Sequence, residues 1–390
     1  MSRSNDTIVP SELTASDALG EIIAVVKGHF PLQTAGRKWI DADIYRVLIK
    51  ASAEASTVEH ICEQMEKGPD ANTVFYWLKP IESQPLRQLE GVANEALIAR
   101  LPPRLDYRPR QAAIDFVFIP YHGEPAREEE EIRRGRAKHG TTHFHCYATV
   151  YIIYQHKRVT VALTGVRADD DALTVLQRLL ARLKDIGLRC SRLYLDRQFY
   201  CVSIIRFLQT QPFVSIMPVV RRGERMKALL RVNKSYRTSY TMRSQQQGEV
   251  TFQVWVVCRY LKGRRGQHGI ERLGYVVIGD LPWHPTQVRD GYRRRFGVET
   301  SYRLMNQVRA RTTSPEPNRR LLYVALAFLL ANLWTYLKWR YLRRGRRVYH
   351  KLLPLATLAT FLSRAVEAVH GVKLSVVLQS QTPALPIGIY

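Results

Sequence analysis

The hydrophobic period of this chain changes near residue 110, and few folds accommodate that change. Before it, apolar residues recur at helical spacing. "SDALGEIIAVVKGHF" opens with a Ser/Asp cap signal, and a helix is expected from about Thr57 in "STVEHICEQMEKGPDANTVFYWLKPI". That second stretch breaks at Lys-Gly-Pro-Asp, and Asp70 is placed to cap another helix. "RLPPRLDYRPRQ", Arg100 to Gln111, is rich in proline and arginine and reads as a linker. After it come β-branched and aromatic runs of strand length: "AAIDFVFIPY", "FHCYATVYIIY" and "KRVTVALTGV". An amphipathic helix, "DDALTVLQRLLARLKDIG", and a fourth strand, "RLYLD", ending at Asp196, follow. Three strands, a helix and a strand define an α/β core behind an all-α N-terminal region.

Beyond Asp196 the pattern gives a helix in "FYCVSIIRFLQ" and a strand in "PFVSIMPVV". Arg221 to Pro285 is polar, basic and strand-like, which sets apart a mostly β insertion at about 213–285. Two domains are expected: 1–107, helical, and 108–390, α/β with C-terminal helices. "LLYVALAFLLANLWTYL", Leu321 to Leu337, is about as long as a short membrane span. Its length and the central Asn332 favour a helix buried in protein, with no membrane partner.

Charge narrows the choice of partner. Lys+Arg number 59 and Asp+Glu 34, a difference of +25, at a pI near 10.1. Such an excess repels itself unless a polyanion is the partner, and nucleic acid is the usual one. The two helices around Gly68 have the form of a helix-turn-helix, with Asn72 and Thr73 near the start of the second, where base edges are read. A plain αα-hairpin has the same pattern. Cys62, Cys146, Cys190, Cys201 and Cys258 are scattered singly, as in a reducing compartment. The first residues lack an apolar secretory segment, so the expected location is cytoplasmic, with DNA.

Three carboxylates stand in unusual surroundings: Asp115 inside an apolar strand, Asp196 at a strand end, and Glu299 among arginines in "GYRRRFGVETSYRLMNQVRARTT". On one continuous helix, Tyr292, Arg295, Glu299 and Asn306 would share a face. Any one such acid is more often a cap or turn residue. Taken together, they have the chemistry of a Mg²⁺ site, since hard carboxylate oxygens hold the ion and leave positions for substrate oxygens. Two such ions about 4 Å apart can activate an attacking oxygen and stabilise the leaving one in a phosphodiester.

These residues resemble a known family. Tyr292, Arg295 and Glu299 match the Tyr-x₂-Arg-x₃-Glu-x₆-Lys signature of DDE transposases of prokaryotic insertion sequences, with Asn306 where the Lys belongs. "RRRFGVETSYRLMNQVRARTTS" is similar to the ISH-type branch, whose two Asp motifs resemble "AIDFVFIPYHG" and "LYLDRQFY". The resemblance spans about Asp115 to Asn332. It implies a ribonuclease H-like catalytic core with a mostly β insertion, and a metal-dependent reaction. That reaction is cleavage at transposon ends followed by strand transfer into target DNA. Asp115, Asp196 and Glu299 would be the catalytic metal ligands for two Mg²⁺ ions, which Mn²⁺ can replace. Tyr292 and Arg295 would lie near the phosphate at the cut, and Arg303 or Arg309 could take over from the missing Lys at Asn306. The partners implied are double-stranded DNA (terminal inverted repeats and target) and a second copy of the chain in a synaptic complex. The competing reading is a transposase-derived DNA-binding protein that no longer cuts.

Weaker constellations stay with structural roles. His122, His139, His143, His145 and Cys146 have no zinc-finger spacing. Trp255 and Trp283 suit core packing better than base stacking. The run from Lys338 to Arg347 reads as a DNA-backbone patch.

Overall fold

The computed structural model describes residues 12–373 apart from 102–104, 106–107, 155–156, 264–267, 342, 345–346 and 349–353. Side chains of 296–301 also lie outside the description, as do those of 154, 157, 268, 343–344 and 347–348.

Five helices come first: α1 (Ala15–His29), α2 (Asp41–Ala53), α3 (Val58–Gln64), α4 (Ala71–Glu82) and α5 (Leu86–Ile98). Local chemistry sets their starts. Thr14 and Asp17 form a capping box on α1, Thr57 caps α3, and Asp70 caps α4 by accepting from the Thr73 N–H at 2.8 Å. The chain then alternates. β1 (Arg110–Tyr121), β2 (Arg133–Lys138), β3 (Thr141–Tyr154) and β4 (Lys157–Val166) lead to α6 (Ala172–Asp185), β5 (Cys190–Tyr194), α7 (Val202–Gln209) and β6 (Val214–Pro218). Next come α8 (Glu224–Leu229), β7 (Tyr236–Ser244), β8 (Gly248–Lys262) and β9 (His268–Ile278). The last helices are α9 (Pro285–Tyr292), α10 (Gly297–Gln307), α11 (Pro317–Tyr341) and α12 (Leu355–His370).

The nine strands form one mixed sheet in the order β2-β3-β1-β5-β6-β9-β8-β7, with β4 also paired to β3. β3 runs antiparallel to β1 and to β4, whereas β5 pairs parallel with β1, and β6 parallel with β5. The strands of the expected β insertion continue this sheet, because β9 pairs with β6 antiparallel and carries β8 and β7 outward.

Alternation along β1 decides what each face meets. Ala112, Ile114 and Phe116 pack with α6 and α7; Val117 and Ile119 face the helical layer. That layer is made by both ends of the described chain. α1 to α5 share a single core with Met305 of α10, with Val308 just past it, and with α11 and α12. α11 passes the length and composition test for a membrane span, yet 78% of its most apolar window is buried in the fold. Asn332, midway along it, explains why a polar residue belongs there. Its amide donates to the carbonyls of Thr160 and Leu97 at 2.6 and 3.0 Å and accepts from the Thr160 N–H at 3.0 Å. Asn94 and Glu90 of α5 bind the same strand at Leu163 and Gly165. Side chains thus occupy the outer edge of β4, which would otherwise offer unpaired backbone groups.

Candidate active site beside two parallel strands

Register brings the first two carboxylates together. Ala113 of β1 pairs with Tyr194 of β5, so Asp115 and Asp196, each two residues further on, arrive at the same level of adjacent strands. Asp196 leaves the sheet there and begins a short 3₁₀ turn, Arg197–Phe199, whose Phe199 ring stacks on Phe116 at 5.0 Å.

Arg295 joins the pair. Its Nη1 donates to Asp115 Oδ2 at 2.8 Å and its Nη2 lies 3.6 Å from Asp196 Oδ1. Asp115 is only 8% exposed and Arg295 5%. Burial is the largest influence on the Asp115 carboxyl and pushes it up to about 6; the neighbouring Asp196 charge adds to this, and Arg295 only partly opposes it. One oxygen of Asp115 also accepts from the Phe116 N–H at 2.9 Å. Around them, hydroxyls tie helix to sheet. Tyr302 donates to the Asp115 carbonyl at 2.8 Å and meets Thr149 Oγ1 at 2.8 Å, and Tyr151 donates to the Arg295 carbonyl at 2.9 Å.

The segment carrying Tyr292, Arg295 and Glu299 is not one helix, which corrects the single-face expectation. α9 ends at Tyr292, Arg293–Phe296 is a 3₁₀ turn, and α10 restarts at Gly297. In a 3₁₀ turn side chains three apart eclipse, and the Arg295 guanidinium stands over the Tyr292 ring, 5.4 Å from its centre. Two tertiary anchors hold the break: Arg295 on Asp115, and the Tyr292 hydroxyl, which donates to the Leu195 carbonyl at 2.9 Å. Tyr292 is 2% exposed and its ring packs on Tyr194 and Tyr275, so it lies beneath the site and not on a surface facing a phosphate. Gly291 permits close packing of α9, since a Cβ there would stand 2.1 Å from the Trp283 ring.

Glu299 lies on α10, and its side chain is outside the described residues. Among the described residues no group of three or more His, Cys, Asp and Glu could hold a metal ion. Arg303 and Asn306 are exposed on α10, and the Asn306 amide oxygen accepts from Arg309 Nε at 3.4 Å. Asn72 and Thr73 belong to the helical layer instead. Asn72 is exposed, whereas the Thr73 hydroxyl donates to Asp70 at 2.9 Å and so is committed to the cap. His145 is buried against the Tyr121 ring, and burial pushes its imidazole down to about 3, as for a packed neutral ring. Trp255 and Trp283 are covered by the guanidinium groups of Arg237 and Arg192 at 3.8 and 4.1 Å. Arg340 pairs with Glu21 at 2.7 Å, and most of the basic run beyond it is outside the described residues.

Sequence reasoning missed β2. With Phe116, Phe118, Phe144, Gln198, Tyr302, Arg303 and Asn306 it lines a cleft of about 700 Å³ beside Asp115 and Asp196. Its residues, "RRGRAK", carry no apolar alternation, and only their density of charge could have drawn notice.

Fold and site together define a mixed α/β protein with one acidic residue within a strand and a second just past the end of the parallel strand beside it. No protein-family model and no curated protein matches the sequence. Among solved structures the chain is similar to a piggyBac transposase, determined as a synaptic complex with hairpin DNA. The alignment covers 94% of this chain and 78% of that one, at a TM-score of 0.53 and 11% identity, a likeness of fold. The catalytic domain of human endonuclease V aligns over 65% of this chain and 95% of its own at a TM-score of 0.24 and 12% identity, too slight to bear on the fold.

Proposed function

We propose that this chain is a DDE transposase of a prokaryotic insertion sequence, with a ribonuclease H-like catalytic core that cleaves transposon ends and transfers them into target DNA. The observation that carries the reading is the meeting of Asp115 and Asp196 on one guanidinium where β1 passes the end of β5. The strand order, three antiparallel strands beside two parallel ones, agrees with such a core. The likeness of fold to a DNA-bound transposase and the net charge of +25 point to the same partner.

The donors fit a divalent cation. Two hard carboxylates stand close enough for the Asp196 charge to raise Asp115, an arrangement that a cation relieves. Asp115 and Asp196 would hold Mg²⁺ or Mn²⁺, and Glu299 on α10 is the third ligand in this reading. A bound ion would supply Lewis acidity at the phosphodiester. The chain's own residues prepare the place. Tyr302 and the Phe116 N–H fix the Asp115 carboxylate and its strand, and Tyr292, through Leu195, fixes the strand end from which Asp196 projects. Arg295 keeps the two carboxylates paired and supplies positive charge where a phosphate would sit. α3 and α4 would read the terminal repeats through Asn72 and its exposed neighbours, and two copies would act in one synaptic complex.

The test uses DNA carrying the gene's own flanking ends, incubated with purified protein and Mg²⁺ or chelator, with new 3′ ends mapped. Cutting at the element boundary by wild type in Mg²⁺, and not by Asp196→Ala, supports the enzyme. Retardation of that DNA by both proteins with no cutting by either would leave a DNA-binding protein in its place.

A further inference from the structure

The cleft beside the carboxylates combines two features. Its rim carries Arg134, Arg136 and Lys138 from β2 and Arg303 from α10. Among the described residues none of these four cations has an ion pair or a side-chain hydrogen bond to a carboxylate, although the chain pairs many of its other arginines. Like charges held together without partners repel one another, and an approaching polyanion relieves that repulsion. Its floor, by contrast, is aromatic. Phe118 is half-buried; it meets Phe144 edge-on at 5.7 Å and tilts against Phe116 at 6.4 Å. Gly135 keeps the β2 backbone close to this floor, since a Cβ there would stand 3.2 Å from the Phe144 ring.

Size decides what the cleft can take. A volume of about 700 Å³ is that of a small-ligand pocket, less than a duplex would fill. Phosphate-binding cations around an aromatic platform are the combination that holds unpaired nucleotides, with backbone on the rim and bases on the rings. Gln198, two residues after Asp196, and Tyr302, whose hydroxyl bonds the Asp115 carbonyl, both line it, so the cleft adjoins the place where the two carboxylates meet.

We propose that the cleft between β2 and α10 binds a short unpaired stretch of the DNA strand adjoining the phosphate to be cut, with Phe118 as its stacking platform. The inference rests on the transposase reading and adds a requirement: the duplex must open locally at the site.

The experiment measures binding of the full chain, by fluorescence anisotropy, to a blunt duplex and to the same duplex with an unpaired extension of about six nucleotides. Wild type should bind the extended probe about tenfold more tightly. Phe118→Leu should erase that preference and Phe118→Tyr should keep it. Arg134→Gln with Arg136→Gln should weaken both complexes and flatten their salt dependence. A Phe118→Leu protein that keeps the preference overturns the proposal. So does a wild type that cuts and binds DNA but treats the two probes alike, which leaves the transposase reading intact; failure to bind any DNA removes both. If Phe118→Leu does not fold, an iodouracil in the extension decides with wild type, by crosslinking to β1 or β2 if the proposal holds and to another element if it does not.

Discussion

Asn332 in the helical layer and Arg295 beside β1 and the end of β5 are both buried polar side chains that join a late helical segment to the sheet. Asn332 satisfies its amide on neutral backbone groups of β4 and α5. Arg295 is held by two carboxylates, one of them pushed to about 6 by burial. The first arrangement is a fixed joint, because each group it uses is already paired. The second keeps opposite charges out of water where they can be re-paired. Buried polar groups that are fully matched specify packing; buried charges that only partly compensate each other mark where chemistry is done.

The contrast can be broken at several points. The largest effect should come from Asp196→Ala, which should lower cleavage by on the order of a thousandfold while leaving end binding within about twofold, read by 3′-end mapping beside a retardation assay. Asn332→Leu should do the reverse. It strands the Thr160 N–H and two carbonyls, so stability in chemical denaturation should fall by about 3 kcal/mol, with cutting by the folded protein unchanged.

Asp115 gives a pH signature of a definite sign. Its folded value of about 6 lies above that of an ordinary carboxylate. At low pH both states hold the proton, and its contribution to stability is fully present. As pH rises towards about 6 the unfolded chain releases a proton that the folded protein still keeps, so this contribution is lost. Between about pH 4 and pH 7 the stability of metal-free wild type relative to Asp115→Asn should therefore fall by about 2–3 kcal/mol. A flat difference would mean that Arg295 fully compensates the burial. Smallest should be Tyr292→Phe, which removes the hydroxyl that bonds Leu195. It should cost about 1 kcal/mol of stability and slow cutting by about tenfold with no change in DNA affinity. A loss of affinity instead would return Tyr292 to the DNA surface.

Much of this was legible in the sequence because the strands of the site are short apolar runs with one misfit each. Asp115 is visible as the only acid in "AAIDFVFIPY", and Asp196 as the end of "RLYLD". The break after Tyr292 was not legible, since apolar and charged residues keep a helical period through it and only Gly291 and Gly297 hint at a change. Its causes are tertiary: the Leu195 carbonyl and the Asp115 carboxylate, both more than 90 residues away in the chain. β2 was hidden for the opposite reason. It is an exposed edge with nothing to bury on one side, so no alternation marks it.

The helical layer has a further consequence for how the chain comes to be folded. α1 to α5 are synthesised more than 200 residues before α11 and α12, yet the apolar faces of all seven close on one another. The early helices must wait, holding a half-covered face through translation of the entire sheet. A ribosome that stops within the sheet would release helices with no core to close on.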